Sequence, residues 1–108
     1  MQMQQETVDS VVQEVYNYLS FTWINNKKSK LHYFGYQKSY AEKSNTIIKC
    51  IKLIKENEIK NIKYMLKVDE KNDNYFIVTF RFKKCDFPYT SFSFHLPNVY
   101  KNLVKEVM

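Results

Sequence analysis

Tyr75-Phe76-Ile77-Val78-Thr79-Phe80-Arg81-Phe82-Lys83 is the stretch on which the fold turns. Phe76, Val78, Phe80 and Phe82 occupy every second position, with Tyr75, Ile77, Thr79, Arg81 and Lys83 between them. Successive side chains of a strand point to opposite faces, so this period predicts a strand with a buried aromatic face and a polar outer face. The same pattern repeats on both sides. Upstream, Ile62, Tyr64, Leu66 and Val68 alternate with Lys63, Met65 and Lys67. Downstream, beyond residues 84–88, Phe92 and Phe94 alternate with Ser91, Ser93 and His95. Residues 69–74 are polar and read as a turn. Three alternating segments joined by turns predict an antiparallel sheet with one face in and one face out.

Outward from these strands the period changes to that of a helix. Val8, Val11, Val12, Val15 and Leu19 form one apolar stripe, and Glu6 and Asp9 suit its N-terminal end. Residues 20–24 then alternate, with Phe21 and Trp23 on one side, and residues 25–30 are polar. Residues 31–36 are rich in β-formers, so 20–36 reads as a hairpin, with Gly35 marking a bulge or a close backbone approach. Ser39 and Glu42 fit a capping box that opens a second helix running to about Asn57, buried through Ile47, Ile48, Ile51 and Ile54. Pro97 and Asn98 open a last helix with the stripe Val99, Tyr100, Leu103, Val104 and Val107. The predicted order is α-β-β-α-β-β-β-α. That is a single α+β domain over residues 1–108, with an antiparallel sheet of three to five strands and helices on one face. Residues 1–6 stand outside the pattern and are candidates for disorder.

Composition narrows the class. Hydrophobic residues make up 44% and aromatic residues 17%, enough for a core built from Phe and Tyr. No apolar run approaches the roughly 20 residues of a membrane helix, and residues 1–7 lack the features of a secretory signal. Cys50 and Cys85 have no disulfide-framework spacing and are expected as reduced thiols in a cytoplasmic protein. Lys, Asn, Ile, Tyr and Phe supply 51 of 108 residues, whereas Gly, Ala and Arg occur once each. That skew follows AT-rich codons and points to an AT-rich genome, such as a low-GC bacterium, its phages or its plasmids. Net charge is +6, which favours anionic partners, although sixteen of the seventeen basic residues are Lys. Recognition of phosphates or bases usually retains several Arg for their planar fork, so part of the basicity reflects codon usage.

Two surfaces stand out as binding candidates. If the strand parity holds, Lys63, Lys67, Tyr75, Arg81, Lys83 and His95 share the outer sheet face, combining phosphate-binding charge with a ring for base stacking. Lys27, Lys28 and Lys30, with His32 and Lys38, form a second basic region beside the aromatic anchors Trp23 and Tyr36. Against both stands the ordinary reading, a solvated face in a Lys-rich chain.

Catalytic motifs are lacking. A single glycine excludes the usual phosphate loop and the dinucleotide fingerprint, so no cofactor is expected. His32, Cys50, Cys85 and His95 lack the close pairs of a structural zinc site, so no metal is expected. Three functions remain as expectations. The first is a small non-catalytic protein, encoded by a phage or mobile element, that inhibits a host nucleic-acid-processing or defence complex by surface occlusion, in the manner of anti-CRISPR proteins. Its partner would be a protein or nucleoprotein complex, with no membrane role. The second is direct binding of single-stranded nucleic acid. The third is an RNA-cutting toxin using His32, His95, Arg81 and Tyr64. A homodimer is compatible with any of them.

Overall fold

The computed structural model describes residues 5–29 and 33–108, and the side chains of 8–23 and 40–108. Two long helices, α1 (Gln5–Ser29) and α2 (Tyr33–Glu56), precede three strands, β1 (Ile62–Val68), β2 (Tyr75–Phe82) and β3 (Ser91–Pro97). A 3-10 turn at Asn98–Tyr100 leads into a short helix, α3 (Lys101–Val107). The sheet is antiparallel, ordered β1-β2-β3, with β2 in the centre. The fold is thus α+β, with helices on one face of the sheet. No described helix is long and apolar enough to cross a membrane.

Even-numbered strand residues face the helices. Phe76, Val78, Phe80, Phe92, Phe94 and Leu96 are sealed at 0–1% exposure. They meet Val12, Val15 and Leu19 from α1 and Ile47, Ile51 and Ile54 from α2. Phe80 and Phe94 pack edge to face, with ring centroids 6.3 Å apart. Beside them, Tyr16 stacks on Phe87 at 4.1 Å and meets Phe82 and Phe92 edge-on, a geometry that the ring quadrupoles favour. Lys49 Nζ donates to the Tyr18 hydroxyl across the α1–α2 seam at 3.0 Å.

The expected first hairpin is absent from the described residues. Residues 20–29 continue α1 and residues 33–36 open α2, leaving 30–32 outside the described residues. The reason lies in the stripe. Val12, Val15, Tyr16, Leu19 and Trp23 keep helical spacing, so Trp23 is the next rung of the buried face, while Phe21 is 68% exposed. No Gly or Pro interrupts residues 8–29, and five alternating residues cannot outweigh that run. Gly35 lies within α2, not at a bulge, and Ser39 lies in the interior of α2, not at its cap.

α2 ends by a different device. The Ile59 amide donates to the Ile54 carbonyl, the Glu58 amide donates to the Lys55 carbonyl, and Glu58 takes a φ of 52°. These are the two hydrogen bonds of a Schellman motif, and Ile54 and Ile59 supply its apolar clasp. At the C-terminal end Val104 is buried, whereas Val99 and Leu103 are 77% and 51% exposed, so only part of the expected stripe is covered.

Candidate docking face

The odd-numbered residues build the opposite face of the sheet. The register pairs Lys63 with Arg81 and Arg81 with Ser91, giving one row across the three strands. The next row is Met65, Thr79 and Ser93, and the third is Lys67, Ile77 and His95. Lys63, Lys67, Arg81 and His95 are all exposed, and among the described residues no helix lies over them. Lys83 continues the pattern just beyond β2, where its amide donates to the Asn61 carbonyl. Parity thus brings five of the six predicted sheet-face residues together.

Tyr75 departs from the group. It opens β2, and its ring packs edge-on against the buried Tyr40 of α2, with centroids 6.2 Å apart and the two hydroxyls 3.4 Å apart. A stacking ring is therefore lost from the face. In its place Met65, 57% exposed, sits in the middle row on the edge strand β1, with Ile77 and Thr79 half-buried on β2 beside it. Met65 falls at odd parity between two lysines, a signal that the sequence carried but that charge overshadowed. Thr79 and Ser93 join hydroxyl to hydroxyl at 3.1 Å. A shallow depression of about 350 Å³ lies among Lys63, Met65, Thr79, Arg81 and Lys83. The result is an apolar side chain flanked by cations on the β1 side of the face, with Ser91, Ser93 and His95 on the β3 side.

The electrostatics of this face are lopsided. Lys63 and Arg81 stand directly opposite each other, a like-charged cross-strand pair that costs roughly 0.2–1 kcal/mol. None of the three rows contains an acid. Asp69, just past β1, approaches His95 Nε2 at 3.9 Å, too far for a hydrogen bond.

Elsewhere the predicted residues scatter. Trp23 is half-buried, packing on Tyr89 at 5.3 Å and Phe92 at 6.1 Å. Lys27 and Lys28 belong to α1, not to a polar turn, and Tyr36 belongs to α2, with the side chains of all three outside the described residues. Lys30 and His32 lie outside the described residues altogether. Tyr64 sits on the helix side of β1, tilted against Phe80 at 6.3 Å. His95 and Arg81 share a face but lie four positions apart along the ladder, roughly 13 Å at strand rise, too far to act on one phosphate. Burial pushes the Cys50 thiol up to about 12. Cys85 is also raised, first by burial and then by Asp86 and Asp9, so neither thiol is primed as a nucleophile. Among the described residues, no three of His, Cys, Asp and Glu gather as metal ligands do.

Comparisons with protein-family models, curated proteins and solved structures return no match for this chain.

Proposed function

We propose that this chain is a non-catalytic binding protein that acts by occlusion, laying its open sheet face on an anionic surface of a protein or nucleoprotein partner. The observation that carries this reading is the cationic face, whose three rows hold no acid, with Asp69 at their border beside His95, and which keeps Lys63 opposite Arg81 at a cost to its own stability. An anionic partner turns that repulsion into attraction, while Met65 supplies an apolar anchor among the cations. The AT-rich composition suits a phage or mobile-element accessory protein, and the favoured partner is a host nucleic-acid-processing or defence complex. A basic inhibitor meets such a complex at its acidic patches or over its bound guide strand.

Direct binding of single strands loses support, because Tyr75 is turned to Tyr40 and the three rows of the face keep His95 as their one ring, where base stacking normally uses several. Cleavage of RNA loses support from the spacing of His95 and Arg81.

The test is affinity capture from an extract of a low-GC bacterial host, using the parent protein and the double variant Lys63→Glu, Arg81→Glu. Both residues are exposed, and circular dichroism checks that the variant folds. The parent should retain one stoichiometric partner that the variant loses. Equal recovery by both proteins, or recovery of the free parent alone, would refute the reading. Fluorescence anisotropy with labelled poly(dT) addresses the rival. Tight binding that weakens steeply with salt would transfer the face to nucleic acid.

A further inference from the structure

The two edges of the sheet differ in what an added strand would find there. The Lys83 amide donates to the Asn61 carbonyl, and the Asp69 amide donates to the Tyr75 carbonyl. These bonds flank β1 at odd positions, so the odd residues bond to β2 and the backbone groups of Tyr64, Leu66 and Val68 point away from the sheet. On the other side, the Phe82 amide donates to the Thr90 carbonyl, so β3 turns the backbone of Ser91, Ser93 and His95 outward and ends at Pro97. Among the described residues no strand pairs with either edge, but their inner faces are not equivalent. On β3, Phe92, Phe94 and Leu96 are already sealed at 0–1% exposure, and a further strand would bury nothing more. On β1, Tyr64 and Leu66 are only half-covered and Val68 is 61% exposed. A groove of about 750 Å³ lies beside the start of this edge, at Ile62, Lys63 and Tyr64, between β1 and the end of α2.

Charge selects the occupant. Lys63 and Lys67 project from the outer side of β1, and Lys60 stands at the groove, whose lining has Glu58 as its acid. Lysines on an edge ordinarily keep other chains away. Here they disfavour a second copy. An antiparallel pairing of all seven residues of β1 with itself would set Lys63 against Lys67 twice, between two molecules of net charge +6. An extended acidic segment meets the opposite situation.

We propose that β1 is a strand-addition site for an extended acidic segment of a protein partner. The backbone of that segment pairs with Tyr64, Leu66 and Val68. Its apolar side chains cover the exposed inner side of β1, and its alternate carboxylates meet Lys63 and Lys67. This inference rests on the docking function proposed above and names the partner's chemistry: a protein strand, not a nucleic acid.

The test is amide NMR of the full chain with three synthetic peptides. One alternates Glu and Val, one is the same peptide N-methylated on the edge it would present to β1, and one alternates Lys and Val. The Glu–Val peptide should shift the Tyr64, Leu66 and Val68 amides and slow their hydrogen exchange about tenfold or more. N-methylation should weaken binding about tenfold or more, and the Lys–Val peptide should not bind. Shifts confined to Thr79, Arg81 and Ser93 would overturn the edge site and leave the sheet-face function standing. No shift at millimolar Glu–Val peptide would also overturn it, with the sheet-face function still judged by partner capture. A dimer in sedimentation velocity that protects the same three amides without peptide would overturn it in favour of a second copy.

Discussion

Lys43 sits in the middle of α2 at 3% exposure, with its ammonium 5.2 Å from the centre of the Tyr40 ring. Burial lowers its pKa from 10.5 to about 8. Below pH 8 it is protonated in both the folded and the unfolded chain, and the cost of burying the charge is fully present. Between pH 8 and 10.5 the unfolded chain binds a proton that the folded chain lacks, so stability rises with pH through that window. Lys43→Met should therefore stabilise the protein at pH 7 by up to about 3 kcal/mol, and the gain should shrink as pH approaches 10.5. Urea unfolding of both proteins at neutral and alkaline pH measures it, and a gain independent of pH would assign the effect to packing alone. Lys63 makes the converse case on the surface. Lys63→Thr removes the repulsion toward Arg81 and should raise stability by about 0.5 kcal/mol at low salt. The same change should weaken partner binding, and a variant that loses stability would show that the pair is not strained. Little at this scale was legible beforehand. Strand parity placed Lys63, Lys67, Arg81 and His95 correctly, since the pleat dictates it. Parity gave no notice that Tyr75, at the first position of its strand, would be drawn to a ring on α2.

At the scale of elements, what was legible was what repeated often enough. Three alternating strands gave the sheet, because each placed several large apolar residues on one side. The stretch over 20–36 failed because a five-residue alternation also satisfies the next turn of a helix, and the stripe through Leu19 and Trp23 decides between them. The end of α2 was located near Asn57 without its mechanism being visible. The left-handed position of a Schellman motif is normally glycine, and this chain, with one glycine in all, places Glu58 there. Glu58→Gly should therefore stabilise the protein by about 1 kcal/mol, the cost of a left-handed conformation for a residue with a Cβ. Thermal unfolding would show it as a rise of several degrees for a chain of this length. An unchanged or lower midpoint would mean that glycine's extra freedom in the unfolded chain cancels the relief. Glu58 also borders the groove beside β1, so its removal takes an acid away from the proposed strand site and should favour an acidic segment slightly.

For the whole molecule, the uneven placement of charge matters more than its sum. A net +6 spread evenly would give weak attraction to any polyanion. Instead α1, over the stretch that covers β3, carries Asp9 and Glu14 and no base from residue 5 to 26, while the three rows of the open side of the sheet carry no acid, with Asp69 at their border beside His95. The molecule thus has a polarity that orients it during approach to an anionic surface. Orientation of this kind acts on the encounter and is screened by salt, whereas the apolar contact through Met65 acts on the lifetime of the complex and is not. The two contributions separate kinetically once the captured partner is immobilised. Raising salt from about 0.05 to 0.5 M should slow association about tenfold or more and leave dissociation nearly unchanged. Met65→Ser should do the reverse, speeding dissociation at every salt concentration while the association rate stays close to that of the parent. If salt acted chiefly on dissociation, the cations would lie in the desolvated centre of the contact and Met65 outside it. The partner would then seat elsewhere than over the row of Met65, Thr79 and Ser93.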